Sequence, residues 1–217
     1  MKIIDCEQGS KEWHEERAGV ITASMLQEVR KRLKSGANKG GFSKAAEQYA
    51  FRLAFERVAG TPLDDTYVTE YMRRGNRLEE AARVVHEVRI SDLIESVGMV
   101  KSDCGNYGAS ADGFIGSKGG AEYKCFVSPE KMMPIMLEGD LADIQDQMQM
   151  NMWLSDRDWW HFGLYCPHLE SIGRDLLLIK VERDEEYIAG MKADLEEFNA
   201  LVESYKKKIE AINYNNV

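Results

Sequence analysis

Cysteine, proline and long apolar runs are scarce in this sequence, and the scarcity excludes several classes of protein. Only four cysteines occur in 217 residues, and none forms a C-x-x-C pair, which argues against a structural zinc or iron–sulfur site. Singly scattered thiols are typical of reduced proteins, so we expect a cytoplasmic location. No apolar run of about 18 residues and no charged-then-apolar leader occurs, so neither a membrane span nor a signal peptide is predicted.

Positive charge is also in short supply. The formal net charge is −9, which argues against non-specific nucleic-acid binding by the whole surface. The length and an apolar content of 44% predict a single globular domain over residues 1–217. Within it we expect an N-terminal helical region at about 10–90 and a C-terminal packing helix at about 184–212.

The basic residues gather locally, so a basic face remains possible despite the net charge. The segment 28–44 and the segment 73–77 supply these candidates for DNA contact: Arg30, Lys31, Lys34, Lys39, Arg73 and Arg74. Residues 34–41 form a small, polar, basic loop. This loop is either a mobile segment that grips a phosphate backbone or an ordinary surface loop.

Hydrophobic periodicity predicts a mixed α/β chain. Helices are expected at 10–18, 22–32, 43–59, 70–88, 141–154 and 184–212. Strands are expected at 97–101, 107–112, 121–127, 159–166 and 176–183, which together would form a mixed sheet.

The run from Ser110 to Cys125 carries the chemistry of the chain. Glu122 and Lys124 lie two residues apart on a predicted strand, so they share a face. Asp112, at the end of the preceding strand, can be brought beside them. Two carboxylates and a lysine suit metal-assisted hydrolysis, with the carboxylates holding Mg²⁺. The alternative is a surface hairpin with solvated charges.

Two helices could add polar groups to this site. Gly75 and Glu79 share a helical face, and Glu79 is a candidate third carboxylate, with Glu80 as its rival. Gln149 is a candidate to hold a water or a phosphate oxygen, although a solvated amide beside a methionine core explains it equally well.

An anion site is conceivable where the first two helices meet. Arg17 ends the first helix and Ser24 begins the second, so an anion there would meet a guanidinium, a hydroxyl and helix N–H groups. The alternative is that Ser24 caps its helix and Arg17 is solvated.

Taken in order, these segments form a pattern that resembles the phage lambda exonuclease family of viral recombinases, within the PD-(D/E)XK nuclease superfamily. The resemblance extends over nearly the whole chain. Its motifs are Trp13-His14-x-x-Arg17, Gly75-x-x-x-Glu79, Ser110-x-Asp112-Gly113, Glu122-x-Lys124-Cys125, Gln147-x-Gln149 and the segment 179–187.

The resemblance implies a restriction-endonuclease-like α/β core, with a central mixed β-sheet flanked by helices. It also implies a 5′-to-3′ exonuclease on double-stranded DNA in a bacterium or a phage-infected host. Such an enzyme releases 5′-mononucleotides and leaves a 3′-ended strand for recombination by a single-strand annealing protein. A ring-shaped homotrimer around DNA is implied as well.

The resemblance also implies roles for individual residues. The metal ligands would be Asp112, Glu122, the Tyr123 carbonyl and Glu79, holding two Mg²⁺ ions for which Mn²⁺ could substitute. Lys124 would be the general base or would orient the water, and Gln149 would orient the water or the scissile phosphate. The 5′-phosphate would be bound by Arg17, Ser24 and Ser110, and the DNA backbone additionally by Lys131.

This sequence departs from the superfamily pattern at two positions. Ala111 precedes Asp112 where a proline gives the superfamily its name, and Phe126 follows Cys125 where proline is common. Neither position carries chemistry, so the predicted catalysis is unaffected. Two alternatives stay open, namely an endonuclease of the same superfamily and a non-catalytic DNA-binding or annealing module.

Overall fold

The computed structural model describes residues 1–63 and 70–213. The helices are α1 (Lys11–Arg17), α2 (Leu26–Arg30), α3 (Lys44–Ala59), α4 (Glu70–Ile90), α5 (Pro129–Met133), α6 (Ala142–Ser155) and α7 (Glu185–Glu210). The strands are β1 (Lys2–Ile4), β2 (Ile21–Thr22), β3 (Ile94–Glu95), β4 (Met99–Lys101), β5 (Tyr107–Ala109), β6 (Gly113–Ile115), β7 (Gly119–Lys124), β8 (Trp159–Tyr165) and β9 (Leu176–Glu182). Shorter helical turns cover Ala23–Met25, Pro134–Glu138 and Pro167–Ile172.

The chain divides into two compact units. The first comprises residues 1–65, 98–109 and 184–217, and the second comprises residues 66–97 and 110–183. The first unit contains a four-stranded sheet in the order β1-β4-β5-β2, and the second contains a five-stranded sheet in the order β3-β6-β7-β8-β9. The single-domain organisation expected from the sequence stays a prediction.

Helix α3 packs against the C-terminal helix α7 in the first unit. Ser43 caps α3 by accepting a hydrogen bond from the Ala46 N–H at 3.0 Å, and Gly60 ends it in the left-handed conformation. The fully buried ring of Phe198 stacks on Tyr49, with ring centroids 5.8 Å apart. The predicted C-terminal packing helix is therefore part of a core.

Five of the six predicted helices are present with small shifts at their ends, namely α1, α3, α4, α6 and α7. The prediction of one helix over 22–32 is wrong at its start. Ile21 and Thr22 instead form β2, which pairs in parallel with Tyr107 and Gly108 of β5. These β-branched residues are stiff at χ1 and fit a strand. A 3₁₀ turn over Ala23–Met25 follows them, and α2 covers only Leu26–Arg30.

The predicted strands at 107–112 and 121–127 have different bounds in the structure. Strand β5 ends at Ala109 and β6 begins at Gly113, which leaves Asp112 in the connection between two sheets. Strand β7 begins two residues early, at Gly119, and ends at Lys124. Strands β1, β2, β3 and β6 were not predicted.

The glycines at the start of β7 explain this early beginning. Gly119 and Gly120 lie directly opposite Trp159 and Trp160 of β8. A Cβ on either glycine would lie 2.2–2.3 Å from the nearest indole carbon. The glycines are therefore required because the rings occupy the space of their side chains, and the turn itself is limited to residues before Gly119.

In the part of the chain that the structure describes, no helix has both the length and the apolar character needed to cross a lipid bilayer.

We expect Gly120→Ala to lower the free energy of unfolding by about 1–3 kcal/mol, because the buried Trp160 ring must leave its position. Gly190→Ala is the control, since it lies within α7 with no atom close to an added Cβ, and it should stabilise by about 0.5–1 kcal/mol. Urea denaturation measures both changes. An unchanged midpoint for Gly120→Ala would contradict the close packing described for this strand pair.

Candidate active site

Strand β7 presents alternate residues to two different environments. It runs parallel to β8, with Glu122 opposite Phe162 and Lys124 opposite Leu164. Ala121 and Tyr123 point to the face on which α4 packs, in a buried apolar cluster. Because successive strand residues alternate, Glu122 and Lys124 share the opposite face.

Asp112 reaches the same strand from the connection before β6. Its Oδ2 accepts a hydrogen bond from the Tyr123 N–H at 2.6 Å. This bond fixes the carboxylate against the peptide that joins Glu122 to Tyr123. The structure therefore brings together Asp112, Glu122 and Lys124, as the spacing of the sequence predicted.

Glu122 is the most buried charged group of the site, with 1% of its surface exposed. Its Oε1 accepts hydrogen bonds from the Lys124 Nζ at 2.5 Å and from the Gln147 Nε2 at 2.6 Å. Its Oε2 is buried and has no hydrogen-bond partner. A buried carboxylate oxygen without a partner is costly, and a bound cation would satisfy it.

The three carboxylates repel one another in a partly buried site. Burial raises the pKa of Asp112 well above its usual range, and Glu122 and Glu79 raise it further. Burial likewise raises the pKa of Glu79, which Lys124 lowers and Glu122 raises. Burial lowers the pKa of Lys124, but the carboxylates of Glu122 and Asp112 outweigh burial, so its net pKa is raised. The lysine is therefore an ammonium group at neutral pH.

The donor set fits a hard divalent cation. It offers the unpaired Oε2 of Glu122, the Asp112 carboxylate and the partly exposed Glu79, and oxygen is the ligand that Mg²⁺ prefers. Within residues 1–63 and 70–213, no three Asp, Glu, His or Cys side chains already converge closely enough to hold an ion. Bringing the carboxylates together requires relief of their repulsion, which the cation itself would provide.

Two of the three glutamines of α6, Gln147 and Gln149, have different environments. Gln147 donates to Glu122, whereas Gln149 is fully buried and donates to the Glu182 carbonyl at 2.9 Å. Residues two apart on a helix point about 200° away from each other, so both could not face the same carboxylate. Gln147 belongs to a sequence motif, but its contact with Glu122 was not predicted. The role predicted for Gln149 at the water or the phosphate stays a prediction.

Arg74 was predicted as a general DNA contact, and the structure places it beside the site. Its Nη1 donates to the Cys125 carbonyl at 3.1 Å, one residue after Lys124. The guanidinium thus adds a second positive charge at the end of β7. Lys131, in α5, is exposed, with its Nζ 5.9 Å from the centre of the Phe126 ring.

The predicted anion pocket is divided between the units, with Arg17 and Ser24 in the first and Ser110 in the second. The Arg17 guanidinium lies 4.1 Å from the centre of the Trp13 ring, and burial lowers the pKa of Arg17. Ser24 is exposed, and its hydroxyl lies 3.4 Å from the Thr22 hydroxyl, so it does not cap a helix. Phosphate binding at these residues stays a prediction.

The loop between Arg17 and Ser24 is held by α3 at one residue. The Gly19 N–H donates to Glu56 Oε2 at 2.8 Å, and the Gly19 carbonyl accepts from Arg57 Nε at 2.8 Å. An added Cβ at Gly19 would lie 2.6 Å from the Arg57 side chain, so glycine is required there. The loop is therefore a fixed part of the first unit.

Several of the predicted DNA-binding residues already pair with carboxylates. Arg30 pairs with Asp194 at 2.8 Å, Lys31 pairs with Glu28 at 3.8 Å, and Arg73 pairs with Glu70. Lys34 and Lys39 are exposed in their loop. Contact of any of these residues with DNA stays a prediction.

A chain of polar side chains, Tyr123, His86 and His161, lies behind the site and was not predicted from the sequence. The Tyr123 hydroxyl is 2.8 Å from His86 Nδ1, and His86 Nε2 is 2.9 Å from His161 Nδ1. Burial, together with His161 and Arg89, lowers the pKa of His86 to about 4, so the buried ring is neutral at neutral pH. No periodicity or motif links residues this far apart in the sequence.

We expect Asp112→Asn to raise the melting temperature of the metal-free protein at neutral pH by about 2–4 °C, the shift that about 1 kcal/mol produces in a chain of this size. The folded-state pKa of Asp112 is raised, so its stabilising contribution is present below pH ~4 and is lost as pH rises through that pKa. Asparagine can still accept the Tyr123 N–H but carries no charge.

Thermal denaturation in EDTA at several pH values measures this effect. The gap between variant and wild type should close below pH ~4, because the carboxyl is then protonated in both the folded and the unfolded chain. A variant less stable than wild type at every pH would mean that repulsion at Asp112 does not strain the metal-free site.

Comparison of the sequence with protein-family models finds one match. The YqaJ-like viral recombinase domain covers residues 12–158, which is more than half of the chain and includes Asp112, Glu122, Lys124 and Glu79. No curated protein matches the sequence.

Comparison with solved structures finds nucleases. An alkaline exonuclease from Laribacter hongkongensis, LHK-Exo, superposes with a TM-score of 0.79 at 25% identity, over 93% of this chain and 96% of that chain. A second structure of LHK-Exo, in complex with dAMP, gives a TM-score of 0.78 at 25% identity over the same shares. A phage-related exonuclease from Haemophilus somnus 129PT gives 0.62 at 19% identity, over 88% and 95%.

These similarities confirm the fold class and the nuclease activity predicted from the sequence. The two mixed sheets flanked by helices match exonucleases of the PD-(D/E)XK type. Asp112, Glu122 and Lys124 lie within the matched region, and their catalytic roles stay a prediction. The chain is similar in structure to alkaline exonucleases, and it is a nuclease that belongs to the YqaJ-like viral recombinase domain family.

Proposed function

We propose that this nuclease is a Mg²⁺-dependent 5′-to-3′ exonuclease that acts on double-stranded DNA and releases 5′-mononucleotides. The observation that carries the proposal is the buried, unpartnered Oε2 of Glu122 beside Asp112 and Lys124. Support for the product comes from the similar LHK-Exo, whose structure with dAMP contains a deoxynucleoside 5′-monophosphate. The 3′-ended strand that remains would be the substrate of recombination by strand annealing.

Asp112, Glu122, the Tyr123 carbonyl and Glu79 are the proposed metal ligands. Two Mg²⁺ ions, with Mn²⁺ as a substitute, would supply an activated water and would stabilise the leaving oxygen. The hydrogen bonds from Gln147 to Glu122 and from Tyr123 to Asp112 keep two of the carboxylates in place.

The raised pKa of Lys124 favours one of its two proposed roles. An ammonium group cannot accept a proton, so Lys124 as it stands would orient the attacking water and neutralise charge on the phosphate. Arg74, at the end of the same strand, can share the phosphate charge. Gln149 is proposed to help orient the water or the phosphate.

The substrate end and the assembly complete the proposal. Arg17, Ser24 and Ser110 would bind the 5′-phosphate, and a ring-shaped homotrimer would gather the basic residues of its three copies around one duplex. Exposed Lys34, Lys39 and Lys131 are the residues best placed for backbone contact, since Arg30 and Arg73 already pair with acids. A single-strand annealing protein is the proposed partner.

We expect linear duplex to be degraded from its 5′ ends in the presence of Mg²⁺ and to remain intact in EDTA. Duplex labelled at either the 5′ or the 3′ end, followed by separation of the products, measures both the polarity and the release of mononucleotides. A covalently closed circle should stay uncut. Cleavage of the circle would instead favour an endonuclease of the same superfamily.

Lys124→Ala should lower the rate of this reaction by about 10²–10⁴, because a positioned polar group of this kind usually contributes that much. Lys118→Ala is the matched control, since that lysine is exposed and pairs with Asp158 on the surface. Duplex binding, measured in Ca²⁺, should be the same for both variants. Activity of Lys124→Ala within threefold of wild type would exclude a chemical role for this lysine.

Duplex without 5′-phosphates should be degraded more slowly than phosphorylated duplex, and Arg17→Ala should remove the difference. The reason is that a partly buried guanidinium can pair with a terminal phosphate. Lys11→Ala, an exposed change on the same helix, should keep the preference. If Arg17→Ala also keeps it, the 5′-phosphate is bound by other residues.

A further inference from the structure

Two buried polar side chains and one half-buried side chain connect α4, β7 and β8 on the face of the sheet opposite to Glu122 and Lys124. Tyr123 contributes a hydroxyl from β7, His86 an imidazole from α4 and His161 an imidazole from β8. His86 is fully buried and Tyr123 is 1% exposed. Two proton arrangements satisfy both contacts. In one, Tyr123 donates to His86 Nδ1 and His86 Nε2–H donates to His161 Nδ1; in the other, His161 Nδ1–H donates to His86 Nε2 and His86 Nδ1–H donates to the Tyr123 hydroxyl oxygen.

Packing alone does not require this arrangement. The surrounding cluster is apolar and contains Ala82, Ala121 and Leu176. An apolar pair of similar volume would fill the same space without burying polar atoms, whereas His86 and Tyr123 tolerate burial only because each satisfies the other. The bond is therefore directional, and it fixes the position of α4 along β7 more narrowly than apolar contact would.

The neighbouring strand β8 also leaves room for the Tyr123 ring. Gly163 lies opposite Tyr123 on β8. A Cβ there would lie 2.6 Å from the Tyr123 ring. Gly163 therefore leaves the space that the Tyr123 ring occupies, and the hydrogen bond to His86 fixes the hydroxyl of that ring.

The backbone of Tyr123 contacts a proposed metal ligand directly, and its side chain contacts the helix that carries another. Its N–H donates to Asp112 at 2.6 Å, and its backbone directly follows Glu122. Its hydroxyl binds His86, which lies two helical turns after Glu79 on α4, so that these two residues face the same side of the helix. A displacement of α4 relative to β7 would therefore move Glu79 away from the other two carboxylates.

We propose that His86 is a positioning residue that, through Tyr123, sets the distance between the Glu79 carboxylate and the Asp112–Glu122 pair, and thereby the affinity of the site for divalent cations. The proposal rests on the metal site of the proposed function. Ligand-orienting partners of this kind usually contribute about 10–100-fold to metal affinity.

Calorimetric titration of the full-length protein with Ca²⁺ tests the proposal, since binding is read without turnover. Tyr123→Phe removes one oxygen, and His86→Leu removes both hydrogen bonds at similar volume. Each should weaken Ca²⁺ binding by about tenfold or more. His86→Asn keeps an amide at the position of Nδ1, so it can still bond to Tyr123 and should stay within about threefold of wild type.

Asp175→Asn is the matched control for a loss of stability. Asp175 lies just before β9 and pairs at 2.7 Å with Arg89, which belongs to α4 as His86 does. This contact does not involve β7. The variant should lower the melting temperature and leave Ca²⁺ affinity unchanged. This separates a destabilised helix from a displaced carboxylate.

Each outcome supports or overturns one proposal. A folded Tyr123→Phe protein that binds Ca²⁺ within threefold of wild type would overturn the positioning role, even if His86→Leu fails to fold. Equal weakening by His86→Asn and His86→Leu would also overturn it, because the bond to Tyr123 would then not matter. Wild-type protein that binds neither Ca²⁺ nor Mn²⁺ would instead overturn the metal site of the proposed function.

Discussion

The structure of the site depends on strand β7, which packs apolar side chains on one face and carries charged side chains on the other. Strand β7 pairs with neighbours on both sides and is buried over most of its length, yet it carries Glu122 and Lys124. Charges in such a position are costly unless they are paired and hydrogen-bonded. Lys124 and Gln147 meet one oxygen of Glu122, and the other oxygen is left without a partner. The incomplete pairing is what makes the site suitable for a cation.

The incomplete pairing of the buried carboxylates also connects the stability of the fold to its function. Burial first, and then repulsion from neighbouring carboxylates, raises the pKa of Asp112 and Glu79. A divalent ion would relieve the repulsion, so the metal-free fold holds strain that binding would release. The polar contacts around the site oppose this strain. Tyr123 is central to them, because its backbone holds Asp112 and its side chain holds α4.

Some basic side chains outside the site are already paired with acids. In the first unit, Arg30 and Arg32 pair with Asp194 and Glu197 of α7, so part of the N-terminal basic cluster serves the fold. A net charge of −9 and these ion pairs together leave few basic side chains for DNA. Affinity for DNA should accordingly come from a small number of exposed lysines and arginines, and it should depend strongly on salt.

The sequence by itself determined the chemistry of the site and the main helices. The spacing of Glu122 and Lys124 reports a shared strand face directly, and the helix ends at Ser10, Ser43 and Gly60 follow local rules of capping. Only the tertiary structure decided that Gly119 and Gly120 make room for indoles, that Gln147 contacts Glu122, and that His86 meets Tyr123. The physical reason is that each of these contacts joins residues far apart in the chain, and local propensity and periodicity do not depend on such partners.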